Sequence, residues 1–192
     1  MFTGRPSPIR QRLVRARRSR AQVLSLALAA CGCVTGALGA LGAPDASAAD
    51  PLAGQERELR TALAASATVI ERTGETLTLR YPVRLGFAPD QPVMRPALTA
   101  VLDELARSLR RHVRTALVVA VYTDAIGRSE FNQQASQQRA NVMAQYLQSH
   151  GVPAVRLISR GGGESAQLPA ENTPEGRDLN RRVELVISAL SS

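Results

Sequence analysis

Tryptophan is absent from this 192-residue chain, and aromatic residues make up only 3% of it. A hydrophobic core must therefore be assembled from leucine, valine, isoleucine and alanine. Cysteine is nearly absent too. The only two, Cys31 and Cys33, stand close together near the N-terminus. The remainder has no thiol for a disulfide, and no Cys–His nucleophile can be built in it. Acidic residues are missing where basic ones crowd. Seven arginines (Arg5, Arg10, Arg12, Arg15, Arg17, Arg18, Arg20) precede residue 21 with no acid among them, and Asp45 is the only charge between 21 and 49. Removing those eight charges from the total of +8 leaves +2 from residue 50 onward. The part of the chain that can fold thus has no basic footprint, which argues against nucleic acid as a partner despite a pI near 11.0.

The arginine-rich start, the apolar run AQVLSLALAACGCVTGALGALGA and the small residues ending ASAAD have the three parts of an export signal. Leu28-Ala29-Ala30-Cys31 resembles the bacterial lipobox, in which Cys31 is acylated and becomes the new N-terminus. Ala46-Ser47-Ala48 is an alternative A-x-A cleavage site, and the run from Val23 to Ala43 is long enough to serve as an uncleaved anchor. A metal or redox pair at C-x-C is out of place inside a signal. The domain boundaries expected are a signal and linker over 1–48, a helical linker over 49–67 and a folded domain over 68–192.

Past the signal, Leu52, Leu59 and Leu63 among charges and alanines predict a short helix or linker. From Thr68 the period becomes two. Val69-Ile70, a turn at Thr73-Gly74, then Leu77 and Leu79 alternating with Thr76, Thr78 and Arg80 predict a β-hairpin, its second strand running on through Leu85 with Pro82 at an edge or bend. Phe87 to Pro96 is a proline-rich loop. Leu98, Val101, Leu102, Leu105 and Leu109 then mark a helix ending near His112. Thr115 to Tyr122 is a strand buried on both faces. A turn follows at Asp124–Gly127, and a helix with Ser129 as N-cap runs to Ser149, stopped by Gly151 and Pro153. Val155 to Ser159 is a short strand, 161–178 a long polar loop with a flexible turn at Gly161–Gly163, and Arg182 to Ile187 a last strand. The order predicts an α+β fold, a mixed β-sheet with two helices packed on one face.

One cluster of residues suggests chemistry. Asn132, Ser136 and Arg139 are spaced i, i+4, i+7 and share a helix face, while Asp124 comes off the preceding strand toward the start of that helix. An acid and a base on neighbouring elements suit a ligand bearing ammonium and carboxylate on one carbon, Asp124 taking the first and Arg139 the second. The same spacing is met if Asp124 and Arg139 pair with each other, or if Asp124 caps the turn.

From Thr68 to Ser188 the chain resembles the C-terminal OmpA-like domain, the peptidoglycan-binding module of outer-membrane proteins, peptidoglycan-associated lipoproteins and flagellar stator proteins. The shared pattern stands as Thr123-Asp124 with Gly127, Asn132 with Ser136, Arg139-Ala140, Gly151-Val152, Arg156-Leu157, Gly161 with Gly163, Asn172 with Gly176-Arg177, and Asn180-Arg181-Arg182-Val183. Phe87 to Pro96, with Asp90 and Met94 in register, is similar more loosely. The resemblance implies that Asp124 and Arg139 hold the diaminopimelate of the peptidoglycan stem peptide. It implies that Thr123, Asn132 and Ser136 belong to the same site, and that of Arg181 and Arg182 one faces it and the other braces a loop. It implies a non-catalytic protein that needs no cofactor or metal and ties outer membrane to cell wall from the periplasmic side. Envelope proteins of a secretion or motility complex are alternative partners. Val121-Tyr122 and Ala135 depart from the family's G-H and leucine. Elsewhere, the glycine run has no lysine after it for a phosphate loop, Glu130 and Glu164 have nothing placing them together, and His112 and His150 fit helix ends better than metal sites.

Overall fold

The computed structural model describes residues 50–168 and 172–190. Cys31, the lipobox and the A-x-A site lie outside those residues. Eleven elements follow one another among the described residues: α1 (Pro51–Ala62), β1 (Val69–Thr73), β2 (Thr76–Pro82), α2 (Val83–Gly86), α3 (Pro96–Arg111), β3 (Thr115–Tyr122), α4 (Ser129–Ser149), a 3-10 turn (Ala154–Arg156), β4 (Leu157–Gly163), α5 (Pro174–Asn180) and β5 (Arg182–Ala189). The five strands form one mixed sheet in the order β1-β2-β5-β3-β4. Only β3 and β4 are parallel, and they are joined through α4. β5, last in sequence, lies between β2 and β3, antiparallel to both.

Alternation fixes which face is covered. Leu77, Leu79 and Tyr81 of β2, Leu117, Val119 and Val121 of β3, and Val183, Leu185 and Ile187 of β5 are buried in one core. Leu98, Val101, Leu102, Leu105 and Leu109 of α3 and Met143 and Leu147 of α4 meet them there. The expected α+β sheet is thus present, with α3 and α4 on its apolar face. The helix expected as a linker joins them: Leu52, Leu59 and Leu63 of the α1 region are 1%, 0% and 4% exposed in the same core. Leucine fills the space that aromatic side chains occupy in other cores. Fully burying each one contributes about 1.5–3 kcal/mol before entropy is counted. Ion pairs ring α1. Arg72 of β1 reaches Asp50 and, at 3.3 Å, Glu56; Arg111 and His112 at the end of α3 reach Glu58. Among the described residues no helix is long and apolar enough to cross a membrane.

Several local expectations are corrected. The second hairpin strand ends at Pro82, not Leu85, because the Val83 N–H bonds to the Arg181 carbonyl at 2.9 Å and the chain then winds into α2. Ser129 is the first helical residue of α4. The cap position falls to Arg128, whose carbonyl accepts from Phe131 and Asn132 at 3.0 Å and whose side chain makes no cap bond. The strand placed at 155–159 begins two residues later, after a 3-10 turn, and the polar loop 161–178 yields both the end of β4 and the start of α5.

Gly161–Gly163 is strand, not a flexible turn. A Cβ at Gly161 would sit 2.5 Å from the Gln137 backbone nitrogen, and one at Gly162 2.4 Å from the Tyr122 ring. The glycines let α4 lie against β4 at backbone range. Glutamines hold it there: Gln133 donates to the Gly161 carbonyl at 2.7 Å, and the Gly161 N–H donates to Gln137 at 2.8 Å. His112 and His150 stand at the C-caps of α3 and α4, as their positions in the sequence suggest.

Candidate functional site

β3 delivers Thr123 and Asp124 to the end of the sheet where its ladder stops. The Thr123 N–H bonds to the Gly163 carbonyl at 2.8 Å, which fixes the exit direction of the chain. Asp124 then closes the turn by accepting from the Ile126 N–H at 3.3 Å. Asn132, on the first turns of α4, donates to the carbonyls of Ile126 at 3.1 Å and Asp124 at 3.4 Å. It also reaches Glu164 at 3.4 Å. The turn is therefore held from both sides.

Beside it opens a cleft of about 810 Å³. Thr123, Asp124, Asn132, Arg139 and Arg181 all line it, with Phe87, Asp90 and Arg95 contributed by the loop before α3. That loop is shaped by a bridge between Phe87 and Met94 and by Asp90, whose φ of 55° is a conformation an aspartate tolerates. Five of the seven residues singled out from the sequence thus come together. Two do not. Ser136 is fully buried, accepting from the Gly163 N–H at 3.0 Å and donating to the Gln133 carbonyl at 2.9 Å, so it joins α4 to β4. The face expected to carry Asn132, Ser136 and Arg139 together is divided, because the glycine strip draws its middle residue against the sheet. Arg182 is 6% exposed. It stacks 4.2 Å from the Tyr122 ring centroid, bonds Glu184 at 2.8 Å and donates to the carbonyl of Ala166 at 3.2 Å. Arg182 braces the loop; Arg181 faces the cleft.

The charges divide unequally. Asp124, 8% exposed, is hydrogen-bonded to Arg181, which also bonds Asp178. Burial works to lower the Arg181 pKa, but the two carboxylates outweigh it and hold it above the ordinary arginine value. Asp178 also lies 3.7 Å from Arg84, so two carboxylates and two arginines balance there. Arg139 has no carboxylate hydrogen bond among the described residues. Its guanidinium lies 5.7 Å from the Phe87 ring centroid. Burial pushes its pKa below the ordinary arginine value, with only a through-space attraction to Asp90 opposing. An arginine remains charged in such a place, so part of its solvation is lost without a partner to replace it. The Thr123 hydroxyl is also buried with no hydrogen-bond partner among the described residues. The cleft therefore offers a carboxylate held in place and, across from it, a cation with no carboxylate hydrogen bond among the described residues, which together complement a zwitterion. The pairing of Asp124 with Arg139 that the sequence left open is absent; Asp124 does close its own turn.

Signals for some of this were present in the sequence. Asp90 stands in the proline-rich loop at a matching spacing, whereas nothing local points to the Asp124–Arg181 bond, which joins residues 57 positions apart. Among the described residues no group of three or more His, Cys, Asp or Glu side chains is placed to hold a metal ion.

Comparison with known proteins follows the same residues. The model of the OmpA family matches residues 86–181. The Escherichia coli protein named "Probable lipoprotein YiaD" is 33% identical over 136 residues, covering 71% of this chain and 62% of its own length. The peptidoglycan-binding protein ArfA of Mycobacterium tuberculosis is 33% identical over 104 residues, 54% of this chain and 32% of its own. The chain thus spans less than two thirds of either relative. Among solved structures, a MotB-like protein of Desulfovibrio vulgaris superposes with a TM-score of 0.64 at 26% identity, over 71% of this chain and 92% of that one. The type VI secretion cell-wall anchor of Pseudomonas aeruginosa shares the fold, with a TM-score of 0.61 at 24% identity over 70% of this chain and 96% of that one.

Proposed function

The chain belongs to the OmpA family, and from that premise we propose that it is a non-catalytic peptidoglycan-binding protein that ties the outer membrane to the cell wall from the periplasmic side. The ligand in this reading is the diaminopimelate of the stem peptide, whose free end carries ammonium and carboxylate on one carbon. Asp124 takes the ammonium, sharing its charge with Arg181, and Arg139 takes the carboxylate. Thr123 lines the site beside Asp124, and Asn132 keeps the turn in place. The name of the ArfA relative supports the choice of ligand.

One observation supports this most: Asp124 and Arg139 line the same cleft, yet neither satisfies the other. A carboxylate arriving at Arg139 restores the partner that burial removed, and charge-assisted bonds of that kind contribute about 1.5–3 kcal/mol each. The test is co-sedimentation of the purified domain with diaminopimelate-type peptidoglycan. Pelleting of the wild type, and its loss in Asp124→Asn and Arg139→Gln, supports the reading. Equal pelleting of all three overturns it.

Attachment at Cys31 by a lipid is part of the same proposal, supported by the lipobox-like LAAC and the YiaD relative's name. Mass spectrometry of the mature N-terminus decides it, since acylated Cys31 and a start at Ala49 differ by eighteen residues and the acyl mass. The likeness to a MotB-like protein favours a second reading, in which the same domain is an assembly subunit of an envelope complex. Release from the wall without release from a partner protein in the Asp124 and Arg139 variants separates the two.

A further inference from the structure

Phe87 organises two cations. Its ring lies under Arg139 at 5.7 Å from the centroid, and its carbonyl accepts from the Nε of Arg95 at 2.9 Å. Both arginines line the cleft. Arg95 makes no salt bridge, and its Nη nitrogens have no partner among the described residues. Of the other two arginines lining the cleft, Arg181 bonds Asp124 and Asp178, and Arg84 is drawn to Asp178 at 3.7 Å. The Arg95 backbone is held on every side. Its N–H bonds to the Gly86 carbonyl at 2.8 Å, Met94 before it is bridged to Phe87, and Pro96 after it opens α3 and keeps Arg95 extended. The same residue also lines a second groove of about 720 Å³ and is exposed.

An arginine anchored through Nε and free at both Nη atoms presents its remaining fork to a carboxylate. We propose that Arg95 forms a second anion site, which reads another carboxylate of the same peptide whose zwitterionic end sits between Asp124 and Arg139. This rests on the cell-wall reading above. A stem tripeptide ending in diaminopimelate has two candidates for that carboxylate: the α-carboxylate of its γ-linked glutamate and its C-terminal carboxylate. The domain then distinguishes stem peptides by amidation away from the zwitterion, a property that Asp124 and Arg139 alone do not supply.

Isothermal titration of the full domain tests this with three synthetic tripeptides: both carboxylates free, the glutamyl one amidated, and the C-terminal one amidated. Wild type is expected to lose about fivefold in affinity for one of the amidated peptides, the size of a solvent-exposed charge pair. Arg95→Gln is expected to lose the same factor for the free peptide and to be indifferent to that amidation. Arg95→Lys is expected to recover part of the loss. Melting temperatures of the variants within error of wild type show that the fold is unchanged. Binding that Asp124→Asn abolishes, but that responds to neither Arg95→Gln nor either amidation, overturns this inference alone. Failure of the wild type to bind any of the three overturns the cell-wall reading and this inference with it.

Discussion

Asp124 and Arg181 are bonded to each other from the end of β3 and the residue before β5, two segments far apart in sequence and adjacent in the sheet. The bond fixes the carboxylate in the cleft while Asp178 takes up part of the arginine's charge. Removing either residue has different consequences from removing Arg139, whose side chain makes no hydrogen bond among the described residues.

Arg139→Gln is therefore expected to weaken binding of a diaminopimelate-containing peptide at least about tenfold, with no fall in melting temperature. Asp124→Asn is expected to weaken binding as much and to lower the melting temperature as well, because Arg181 loses a partner. Titration calorimetry with parallel thermal melts checks both. An unchanged affinity in Arg139→Gln contradicts the role assigned to that side chain.

Gly161→Ala and Gly162→Ala are expected to destabilise the domain by about 1–3 kcal/mol each, the cost of forcing an extra carbon into a filled contact. Gly161 is the more severe of the two, because its neighbour is the Gln137 backbone, whereas Gly162 presses on a ring that can tilt. Gly74→Ala tests the difference between space and conformation. Its Cβ meets nothing within 4 Å, but its φ is 57°, so a loss of about 1 kcal/mol is expected from the backbone alone. Urea unfolding of the three variants ranks them.

Arg156 is 8% exposed and serves the backbone, not a carboxylate. It donates to the carbonyls of Thr115 at 2.6 Å, Leu109 at 2.8 Å and His112 at 2.8 Å, closing the end of α3 and the start of β3. Burial lowers its pKa from the ordinary arginine value. Arg156→Met leaves those carbonyls without their donors. A loss of about 2–4 kcal/mol is expected in chemical denaturation, since an unsatisfied buried group costs about 1–3 kcal/mol. Arg156→Lys is expected to recover only part, having no planar fork to span three acceptors.

Acid should loosen α1 before the rest of the domain. Hydrogen bonding from Arg60, supplemented by Arg72 and opposed by burial, holds the Glu56 carboxyl below the ordinary glutamate value. Burial works to raise Glu58, but bonds from Arg111 and His112 outweigh it and leave it lowered as well. A carboxylate whose pKa is lower folded than unfolded adds stability above its unfolded pKa and loses it as pH falls through the folded one. Stability is thus expected to decline as pH drops from the ordinary glutamate range downward. Glu56→Gln and Glu58→Gln should flatten that decline, as followed by urea midpoints across pH. An unaltered slope in the double variant refutes the assignment.

Much of the fold is legible in the chain because burial leaves a period. Leu98 to Leu109 at helical spacing and Leu77, Leu79 and Tyr81 at alternate positions mark α3 and β2 without reference to anything distant. Leu52, Leu59 and Leu63 carry the same signal, but a helix that docks and a helix that merely links have one pattern, and only the packing against α3 and the sheet tells them apart. The glycine run is the opposite case. Three consecutive glycines carry no side-chain period at all, and their role as a seat for α4 exists only when Gln133 and Gln137 are brought against them.

The sequence by itself determined the mixed α+β order, the leucine-rich core and the identity of the cleft's two unlike charges, because those follow from composition, local periodicity and fixed motif spacing. Only the tertiary structure decided which charges are spent and which are left over. Asp124 meets Arg181, Ser136 turns inward, Arg182 lies on Tyr122, and Arg139 and Arg95 remain around Phe87. Pairing depends on distance in space, and residues paired between neighbouring strands of this sheet, such as Pro82 with Arg182 and Thr76 with Ser188, lie a hundred or more positions apart along the chain.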